Sequence, residues 1–327
     1  MSFVILAYNQ EDLIAESFAG AISQTYSPME IILSDDCSPD DTFARMQDLA
    51  ANYRGPHRVR LNRNAENLHI GGHVQKVAGL SNGDLIVVNA GDDISEPDRV
   101  EGLVAAWLSE DRKPDLLHSD VSKIAMDGTP LGMIAKPAPL MRSSVRPAAL
   151  AMAGESVIGA SQAWTKRLFD SFPALSSEIT SEDLVLPFRA ALLGGNHYVA
   201  KPFVRHRVGG ISADFLSDSA HNALWGSGLK VRRWFCSSLE QMLRDIDARP
   251  DLDRDGTLRT TLTAQLARHQ APLDLAKVSW PARWAVAGRL LRNAEISRAD
   301  RLRYSFMYLA PTLWSLQLGV KRRLGRL

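Results

Sequence analysis

Three acidic pairs in the sequence stand where an α/β protein places functional groups. Two follow apolar runs and one opens a segment of helical period: Asp35-Asp36, Asp92-Asp93 and Glu182-Asp183. Ligands of an open α/β sheet bind outside the carboxyl ends of its strands, so these acids are candidate site residues by position. Adjacent carboxylates repel one another unless a positive charge lies between them. Oxygen ligands of this kind suit Mg²⁺ or Mn²⁺ carrying a substrate diphosphate.

Each acidic pair also has a simpler interpretation. Asp92-Asp93 fits a solvated turn whose acids cap the next helix. Asp36 fits the first residue of an Asx-turn. Glu182-Asp183 fits a pair of acids that is merely stabilised by a helix N-terminus.

The elements that must position the acids alternate between strand and helix. Apolar runs bounded by turn residues predict strands, and segments of helical period separate them. The predicted strands are Phe3–Ala7, Met29–Leu33, His57–Leu61, Asp84–Asn89 and Asp115–Ser119. Asn9 is predicted to cap the first helix and Ser95 the helix after Asp92-Asp93. This alternation is typical of βαβ units in a mainly parallel sheet, so the expected fold class is α/β.

The pattern changes after residue 120. A hairpin is expected at Lys123–Met133, because Asp127-Gly128 tolerates the positive φ angles of a tight turn. The other predicted elements are a mobile loop at Lys136–Pro147, a helix at Glu182–Leu193 ended by Gly194-Gly195, a strand at His197–Val204, and helices throughout from about Ala220.

Composition narrows the class of protein. With 45% hydrophobic and 23% charged residues, the 327-residue chain is typical of a globular enzyme and unlike a disordered or fibrous protein. The two cysteines, Cys37 and Cys236, lie too far apart in sequence to indicate a zinc site or a disulfide framework. The longest apolar run, FVILAY, is too short to span a membrane, and no basic segment precedes it. We therefore expect a cytoplasmic protein.

The motifs around the acidic pairs resemble a known family. Residues 3–42, FVILAYNQEDLIAESFAGAISQTYSPMEIILSDDCSPDDT, resemble the opening of a family 2 glycosyltransferase with the GT-A fold. Residues 82–94 resemble the metal-binding segment of that family, and Ser181-Glu182-Asp183 resembles its catalytic Glu-Asp motif. The resemblance implies a GT-A domain, a Rossmann-like and mainly parallel sheet flanked by helices, at 1–215. Residues 216–327 would form a helical, basic extension.

The resemblance also implies roles for individual residues. Ala7, Tyr8 and Asn9 would bind the nucleotide-sugar, with Tyr8 offering a stacking face; an ordinary rim aromatic is the alternative. Asp36 would accept a hydrogen bond from the base, and Asp92 would hold the ribose or the diphosphate.

Further roles concern the metal and the reaction. Asp93 would ligate a divalent cation, Mn²⁺ or Mg²⁺, and His206 would be a second metal ligand or a phosphate contact. Arg63, Arg205 and Arg207 are candidate contacts to phosphate or base, although a solvated cationic face explains them almost as well. Asp183 would be the general base and Glu182 would bind the acceptor or raise the pKa of the acidic pair.

The expected function is therefore an inverting glycosyltransferase. It would move a sugar from a nucleotide-diphosphate donor, a UDP-sugar being favoured, to a hydroxyl of a glycan or lipid-linked acceptor in surface polysaccharide biosynthesis. A catalytically silent scaffold or membrane-binding protein is the alternative, because Ala90 replaces an acid that this family often carries. The segment Asn62–His73 also lacks the Gly-rich pattern of relatives, which leaves the base open. A sugar nucleotidyltransferase is disfavoured, since Tyr8-Asn9-Gln10 stands where a Gly-rich basic loop would be needed.

Charge is distributed unevenly along the chain. After His221 there are 19 Lys and Arg against 9 Asp and Glu, whereas before it there are 19 against 28. Aromatic residues and arginines interleave in residues 278–327, as in helices at the surface of an anionic membrane. A helical bundle with an arginine-rich solvent face is the alternative. No nucleic-acid partner is expected, because no recognised binding motif accompanies the charge. A peripheral position on the inner face of the cell membrane would follow from the first interpretation.

Overall fold

The computed structural model describes residues 1–133, 147, 150, 157–209, 227–294 and 296–310. The strands are β1 (Ser2–Ala7), β2 (Glu30–Asp35), β3 (Arg58–Arg63), β4 (Leu85–Ala90), β5 (Ile94–Ser95), β6 (Leu116–Ile124), β7 (Pro130–Met133), β8 (Ala163–Thr165) and β9 (Asn196–Arg207). The helices are α1 (Ile14–Ile22), α2 (Thr42–Asn52), α3 (His69–Leu80), α4 (Arg99–Ser109), α5 (Lys166–Asp170), α6 (Glu182–Leu192), α7 (Ser227–Ala248), α8 (Thr257–Lys277), α9 (Trp280–Arg292) and α10 (Arg298–Leu309).

Four parallel strands form the half of the sheet that carries the predicted site. Their order is β3-β2-β1-β4. The register pairs Ala7 with Asp35 and Leu6 with Ala90, so the carboxyl ends of β1, β2 and β4 meet at one edge. The first two acidic pairs lie at or just beyond this edge, as the sequence predicts.

The other half of the sheet is mixed. Strand β8 pairs antiparallel with β4 and β6, β9 pairs parallel with β6, and β5 pairs antiparallel with β9. Strand β7 forms the predicted hairpin with β6, and Gly128 takes a φ of 85° in its turn. The α/β class with a mainly parallel, helix-flanked sheet is confirmed, while antiparallel β8 was not predicted.

Strand β1 shows how the sheet is buried on both faces. Successive side chains of a strand point to opposite faces. Accordingly, Phe3 and Ile5 pack with α1 and α4, whereas Val4 and Leu6 pack with α3 and α6. All four side chains are at most 9% exposed. The continuous apolar run of β1 follows from this two-sided burial, which is typical of parallel strands.

The C-terminal helices contribute to the same core. Leu239, Met242 and Ile246 of α7 belong to the apolar cluster that contains Leu186 and Phe188 of α6. A second, smaller cluster lies among helices α7 to α10. None of the described helices has both the length and the apolar character needed to cross a bilayer. The division at residue 215 remains a prediction.

Two predicted helix caps are wrong. Asn9 takes a positive φ of 61°, and α1 begins only at Ile14. Ser95 lies in β5, and α4 begins at Arg99. The hydroxyl of Ser95 donates to Asn89 Oδ1 (3.0 Å) and accepts from Arg99 Nη1 (2.8 Å), so it holds the end of β4 instead of a helix terminus.

Other boundaries differ in length. The predicted strand at 197–204 extends to Arg207, because β9 pairs with β6 as far as Ile124. The loop predicted at 136–147 lies outside the described residues, apart from Pro147. Helix α6 ends at Leu192, and the residue Gly195 after it takes a φ of 96°, in agreement with the predicted glycine stop.

A buried ion pair joins α6 to α7. Arg189 Nε and Nη2 donate to the two carboxylate oxygens of Asp245, each at 2.7 Å, and both side chains are fully buried. Arg189 also donates to Pro173 O (2.7 Å), and Gln241 Nε2 donates to Asp245 Oδ1 (2.9 Å). The pair ties the helix that carries Glu182-Asp183 to the C-terminal helices.

Removing one partner of this pair is expected to destabilise the protein. Asp245→Ala leaves the guanidinium of Arg189 buried without its counter-charge, which costs about 3–5 kcal/mol. Urea unfolding followed by circular dichroism measures the loss. Asp251→Ala breaks the exposed pair with Arg249 and is the matched control, with little change expected. A loss below about 1 kcal/mol for Asp245→Ala would contradict the expectation.

Candidate active site

Backbone hydrogen bonds hold together the loops that leave β1 and β2. The N–H groups of Asn9, Gln10 and Glu11 donate to Ser38 Oγ (2.9 Å), Thr42 Oγ1 (2.8 Å) and Asp40 Oδ2 (3.2 Å). The positive φ of Asn9 turns the chain toward these acceptors, and Asn tolerates this conformation better than most residues. Tyr8, at the start of the loop, is partly exposed.

Asp35 and Asp36 have different partners although they are adjacent. Asp35 accepts from both the N–H (3.1 Å) and the hydroxyl of Ser38, so Asp35 forms the side-chain turn of this loop. Asp36 Oδ1 accepts from Asn64 Nδ2 (2.7 Å) and from the Leu68 N–H (2.9 Å). The described residues donate no hydrogen bond to Asp36 Oδ2, so this oxygen is available to a ligand.

Gly91 brings the end of β4 against the loop that follows β1. Its N–H donates to Leu6 O (2.8 Å). A Cβ atom at this position would lie 2.9 Å from Ala7 Cβ and closer still to Gln10 Oε1. Only glycine permits this approach, which places Asp92-Asp93 next to the β1 loop.

Strand β9 holds both carboxylate oxygens of Asp93. Oδ1 accepts from the Arg207 N–H (2.8 Å), and Oδ2 lies 3.0 Å from His206 Nδ1. The buried Arg207 side chain donates to Asp92 O (2.9 Å) and to Glu16 Oε2 (3.0 Å). The structure thus brings together Asp93 and His206, the two residues that the sequence analysis assigned to a metal.

The buried side chain of Arg99 holds the end of β4 in place. Arg99 Nη2 donates to Val88 O (2.7 Å) and Ala160 O (2.6 Å), and its Nη1 donates to Asn89 Oδ1 (3.1 Å). Asn89 Nδ2 in turn donates to Asp93 O (2.8 Å). Since Arg99 is fully buried, this network keeps the Asp92-Asp93 turn in one position.

The contacts of Arg99 extend to the segment that packs against Glu182-Asp183. Arg99 contacts the segment of Ala160, one residue after Gly159. A Cβ atom on Gly159 would lie 2.7 Å from Glu182 Oε1, so the Glu182 carboxyl group packs directly against this glycine. The Val157 N–H donates to Asp183 O (3.4 Å). Segment 157–162 therefore connects the start of α6 to the end of β4.

Burial and like charge raise the pKa values of two acids. Burial first, and then the neighbouring Asp93, raise the pKa of Asp92 to about 6. Burial and the neighbouring Asp183 raise the pKa of Glu182 to about 8. The raised pKa favours the protonated form of Glu182. A positive charge beside Asp92 or Glu182 would stabilise the ionised form of that acid, and so would a hydroxyl group that donates a hydrogen bond to it.

The pKa of His206 is raised, although burial alone would lower it. Burial lowers it, but the hydrogen bond to Asp93 and the charges of Asp93 and Asp92 outweigh burial, so the pKa lies above its ordinary value. In the described part of the chain, no three His, Cys, Asp or Glu side chains are already grouped as metal ligands.

The structure places two predicted arginines in local contacts. Arg63 lies 3.3 Å from Asp35 Oδ2 through Nε, donates to Ser38 O (3.0 Å), and stacks over the Phe43 ring. It thus borders the β2 loop and remains 45% exposed. Arg205 pairs with Glu96 at 3.0 Å.

Sequence analysis missed the two arginines that organise the site. Arg207 was predicted only as a contact to phosphate or base, and Arg99 was not considered. The position of Arg207 next to His206 in the sequence could have indicated its role at the site. Arg99 had no such signal, because an arginine in the first turn of an exposed-looking helix is ordinary until its burial is known.

Comparison with known proteins supports the resemblance. Residues 2–116 match the family model described as Glycosyl transferase family 2. Putative glycosyltransferase EpsE of Bacillus subtilis (strain 168) is 35% identical over 105 residues, which are 32% of this chain and 37% of that protein. Succinoglycan biosynthesis protein ExoO of Rhizobium meliloti (strain 1021) is 31% identical over 136 residues, which are 42% of this chain and 37% of that protein. The matches span less than two fifths of these relatives.

The similarity in fold to solved structures extends beyond residues 2–116. The crystal structure of S. aureus TarS residues 1–349 in complex with UDP-GlcNAc superposes with a TM-score of 0.57 and 15% identity, and covers 99% of this chain and 92% of that chain. The fold is thus that of a GT-A glycosyltransferase with a helical C-terminal region. The match to the family model of glycosyl transferase family 2 lies within this fold at residues 2–116.

The raised pKa of Glu182 predicts how stability depends on pH. The folded-state pKa of about 8 lies above the unfolded value of 4.5, so the folded state binds the proton more tightly. Its stabilising contribution is complete below pH 4.5 and is lost as pH rises toward 8. Glu182→Gln should therefore lose less unfolding free energy than the wild type between pH 5 and 8, by more than about 1 kcal/mol.

Urea unfolding at several pH values measures this difference. Glu178→Gln, at an exposed position four residues earlier, is the matched control and should follow the wild-type curve. Parallel curves for the wild type and Glu182→Gln would show that Glu182 does not titrate in this range.

Proposed function

We propose that the chain is an inverting glycosyltransferase that uses a nucleotide-diphosphate sugar, with a UDP-sugar favoured, and a hydroxyl acceptor. The observation that carries the proposal is the convergence of three loops at one sheet edge. The Asp36 N–H donates to Ala7 O (2.9 Å) and the Gly91 N–H donates to Leu6 O (2.8 Å), so the ends of β2 and β4 are both joined to the end of β1. Glu182-Asp183 is tied to the same edge through 157–162.

The edge offers complementary groups to a nucleotide. Tyr8 is partly exposed and presents a ring to a base, and Asp36 Oδ2 can accept a base N–H. Arg63 borders the β2 loop, where its Nη2 donates to Ser38 O (3.0 Å). These roles of Ala7, Tyr8, Asn9, Asp36 and Arg63 rest on position and on the resemblance to family 2.

A divalent cation fits the residues beyond β4. Asp92 and Asp93 supply carboxylate oxygens and His206 an imidazole nitrogen, a donor set that Mn²⁺ and Mg²⁺ accept. Burial first, and then the charge of Asp93, raise the pKa of Asp92, so a cation beside the pair would favour its ionised form. The cation, when bound, would neutralise charge on the departing diphosphate. The residues that would hold it are Asp93 and His206, with Asp92 turned to the ribose or diphosphate.

Asp183 is the proposed base. Its carboxylate would remove the proton from the acceptor hydroxyl while that oxygen attacks the anomeric carbon from the face opposite the leaving nucleotide, so that one displacement inverts the configuration. The raised pKa favours a protonated Glu182, which would donate a hydrogen bond to the acceptor. The two neighbouring acids thereby take different roles.

Substitutions at the two acids separate these roles. Asp183→Asn is expected to lower kcat for Mn²⁺-dependent UDP-sugar hydrolysis by about 10²–10⁴-fold, the usual contribution of a general base. Glu182→Gln should stay within about tenfold of the wild type at pH 7, because an amide resembles the protonated acid. Coupled detection of released UDP measures both rates.

The matched control is Asp170→Asn, at an exposed position on α5, which should leave kcat unchanged. Activity that survives in Asp183→Asn would remove Asp183 from the reaction. Failure of the wild type to bind or hydrolyse UDP-, GDP-, dTDP- and CMP-sugars would favour the silent scaffold.

The C-terminal helices supply the observation for a membrane partner. Trp280, Trp284 and Leu291 of α9 are 44–61% exposed. At 100° per residue their positions fall within about 40° of one another, so they form one stripe on the helix. Arg289 and Arg292 lie in the last turn of the same helix. Exposed tryptophans beside arginines match the interface of an anionic leaflet, and the stripe is proposed to rest there.

Vesicle binding tests the stripe. Sedimentation with phosphatidylglycerol-containing vesicles should show binding that falls at least about tenfold in a Trp280→Ala, Trp284→Ala double variant, since each buried aromatic contributes about 1.5–3 kcal/mol. Leu131→Ala, Met133→Ala removes equally exposed apolar groups from the β7 hairpin and is the control. Equal binding by both double variants, or equal binding to neutral vesicles, would contradict the proposal.

A further inference from the structure

A cleft of about 380 Å³ lies between the segment before α6 and the helices α7 and α8. Its lining includes Thr180 at one end and Lys230, Arg233, Trp234 and Lys277 from the helices. We call it the cationic cleft. Its volume lies in the range of small-molecule sites.

The cationic cleft is close to the proposed base. Thr180 is three residues before Asp183, so their Cα atoms are within about 11 Å of each other along the chain. Helix α7 fixes this segment, because Ser238 Oγ donates to Ser181 O (3.4 Å) and the Ser176 N–H donates to Gln241 Oε1 (3.2 Å). The Cα of Asp183 therefore lies within about the length of a disaccharide of the cleft lining at Thr180.

The charges of the cleft suit a particular ligand chemistry. Arg233 and Lys277 are exposed, and neither forms an ion pair within the described part of the chain. Two glutamates, Glu178 and Glu240, line the same cleft. Cations bind phosphate oxygens, and carboxylates accept hydrogen bonds from sugar hydroxyls.

Trp234 adds an aromatic ring to the lining of the cationic cleft. An indole face packs against the apolar face of a sugar ring, and Trp234 is only partly buried in the lining of the cleft. Stacking by an aromatic ring, cations for phosphate and acids for hydroxyls together match a phosphorylated sugar better than a neutral glycan or a bare anion.

We propose that the cationic cleft binds the acceptor, and that this acceptor is a sugar carrying phosphate. The inference rests on the proposed glycosyl transfer, because it takes Asp183 as the point to which the acceptor hydroxyl must be delivered. Arg233 and Lys277 hold the phosphate, and Trp234 stacks on the sugar. The chemistry is shared by a sugar phosphate within a glycan and by a sugar linked through phosphate to a lipid.

Calorimetric titration tests the proposal with defined probes. The full chain should bind N-acetylglucosamine 1-phosphate at least about tenfold more tightly than the neutral methyl glycoside of the same sugar. Arg233→Ala and Lys277→Ala should each weaken phosphate binding about tenfold. Trp234→Ala should weaken the sugar phosphate while leaving inorganic phosphate unchanged. Arg254→Ala, an exposed arginine in the turn between α7 and α8, is the matched control.

A second arm distinguishes the source of the phosphate. The farnesyl ester of the same sugar phosphate should bind more tightly than the free form if the acceptor is lipid-linked, and equally if the acceptor is a glycan phosphate. Binding of the lipid ester that survives Arg233→Ala together with Lys277→Ala would overturn the proposal, since the phosphate would then lie elsewhere.

UDP binding in the same proteins separates this proposal from the proposed function. The cleft variants should keep the wild-type affinity for UDP and the wild-type melting temperature, whereas Asp93→Ala should lose UDP binding and keep the sugar phosphate. A wild type that hydrolyses UDP-sugar but shows no preference for the phosphorylated probe overturns the cleft and leaves the transferase intact. A wild type that does not hydrolyse UDP-sugar but still prefers the phosphorylated probe would contradict the proposed transferase and leave the cleft as a binding site.

Discussion

The carboxylate of Asp93 is the group on which the arrangement of the site depends. It is fully buried at the end of a parallel strand, beside a second acid, where an ionised group is costly unless hydrogen bonds and charges compensate it. The N–H of Arg207 and the ring of His206 supply that compensation from β9. Because β9 belongs to the mixed half of the sheet, this one contact joins the two halves at the functional edge.

Other features of the fold follow from keeping that carboxylate in place. The buried Arg99 satisfies the carbonyl groups of β4 and of residue 160, and Asn89 carries the connection to the backbone of Asp93. Gly91 removes the side chain that would separate this turn from the β1 loop. The side chains of Arg99 and Asn89 are fully buried, so the hydrogen-bond network that they form fixes position more than it adds to stability.

The sequence predicted the parallel half of the fold well. Strands β2 and β4 are largely apolar runs that lead into acids, and the alternation of strand and helix along the chain implies that those acids meet at one edge. The caps at Asn9 and Ser95 were wrong because their side chains and backbone have tertiary partners, Ser38 in one case and Asn89 with Arg99 in the other. Local pattern cannot show such partners. For the same reason Arg99 and the antiparallel β8 were missed, whereas His206 was singled out because it follows the predicted strand at 197–204 and lies beside Asp93 in the structure.

The central claim is that the sheet edge at Asp36 and Asp93 holds a nucleotide-diphosphate sugar in reach of Asp183. A crystal structure of the chain with a UDP-sugar and Mn²⁺ tests this claim most directly. The account predicts the base against Tyr8 and Asp36, the diphosphate and cation beside Asp93 and His206, and the anomeric carbon of the sugar facing Asp183. Nucleotide density anywhere else, or a sugar directed away from Asp183, would contradict it.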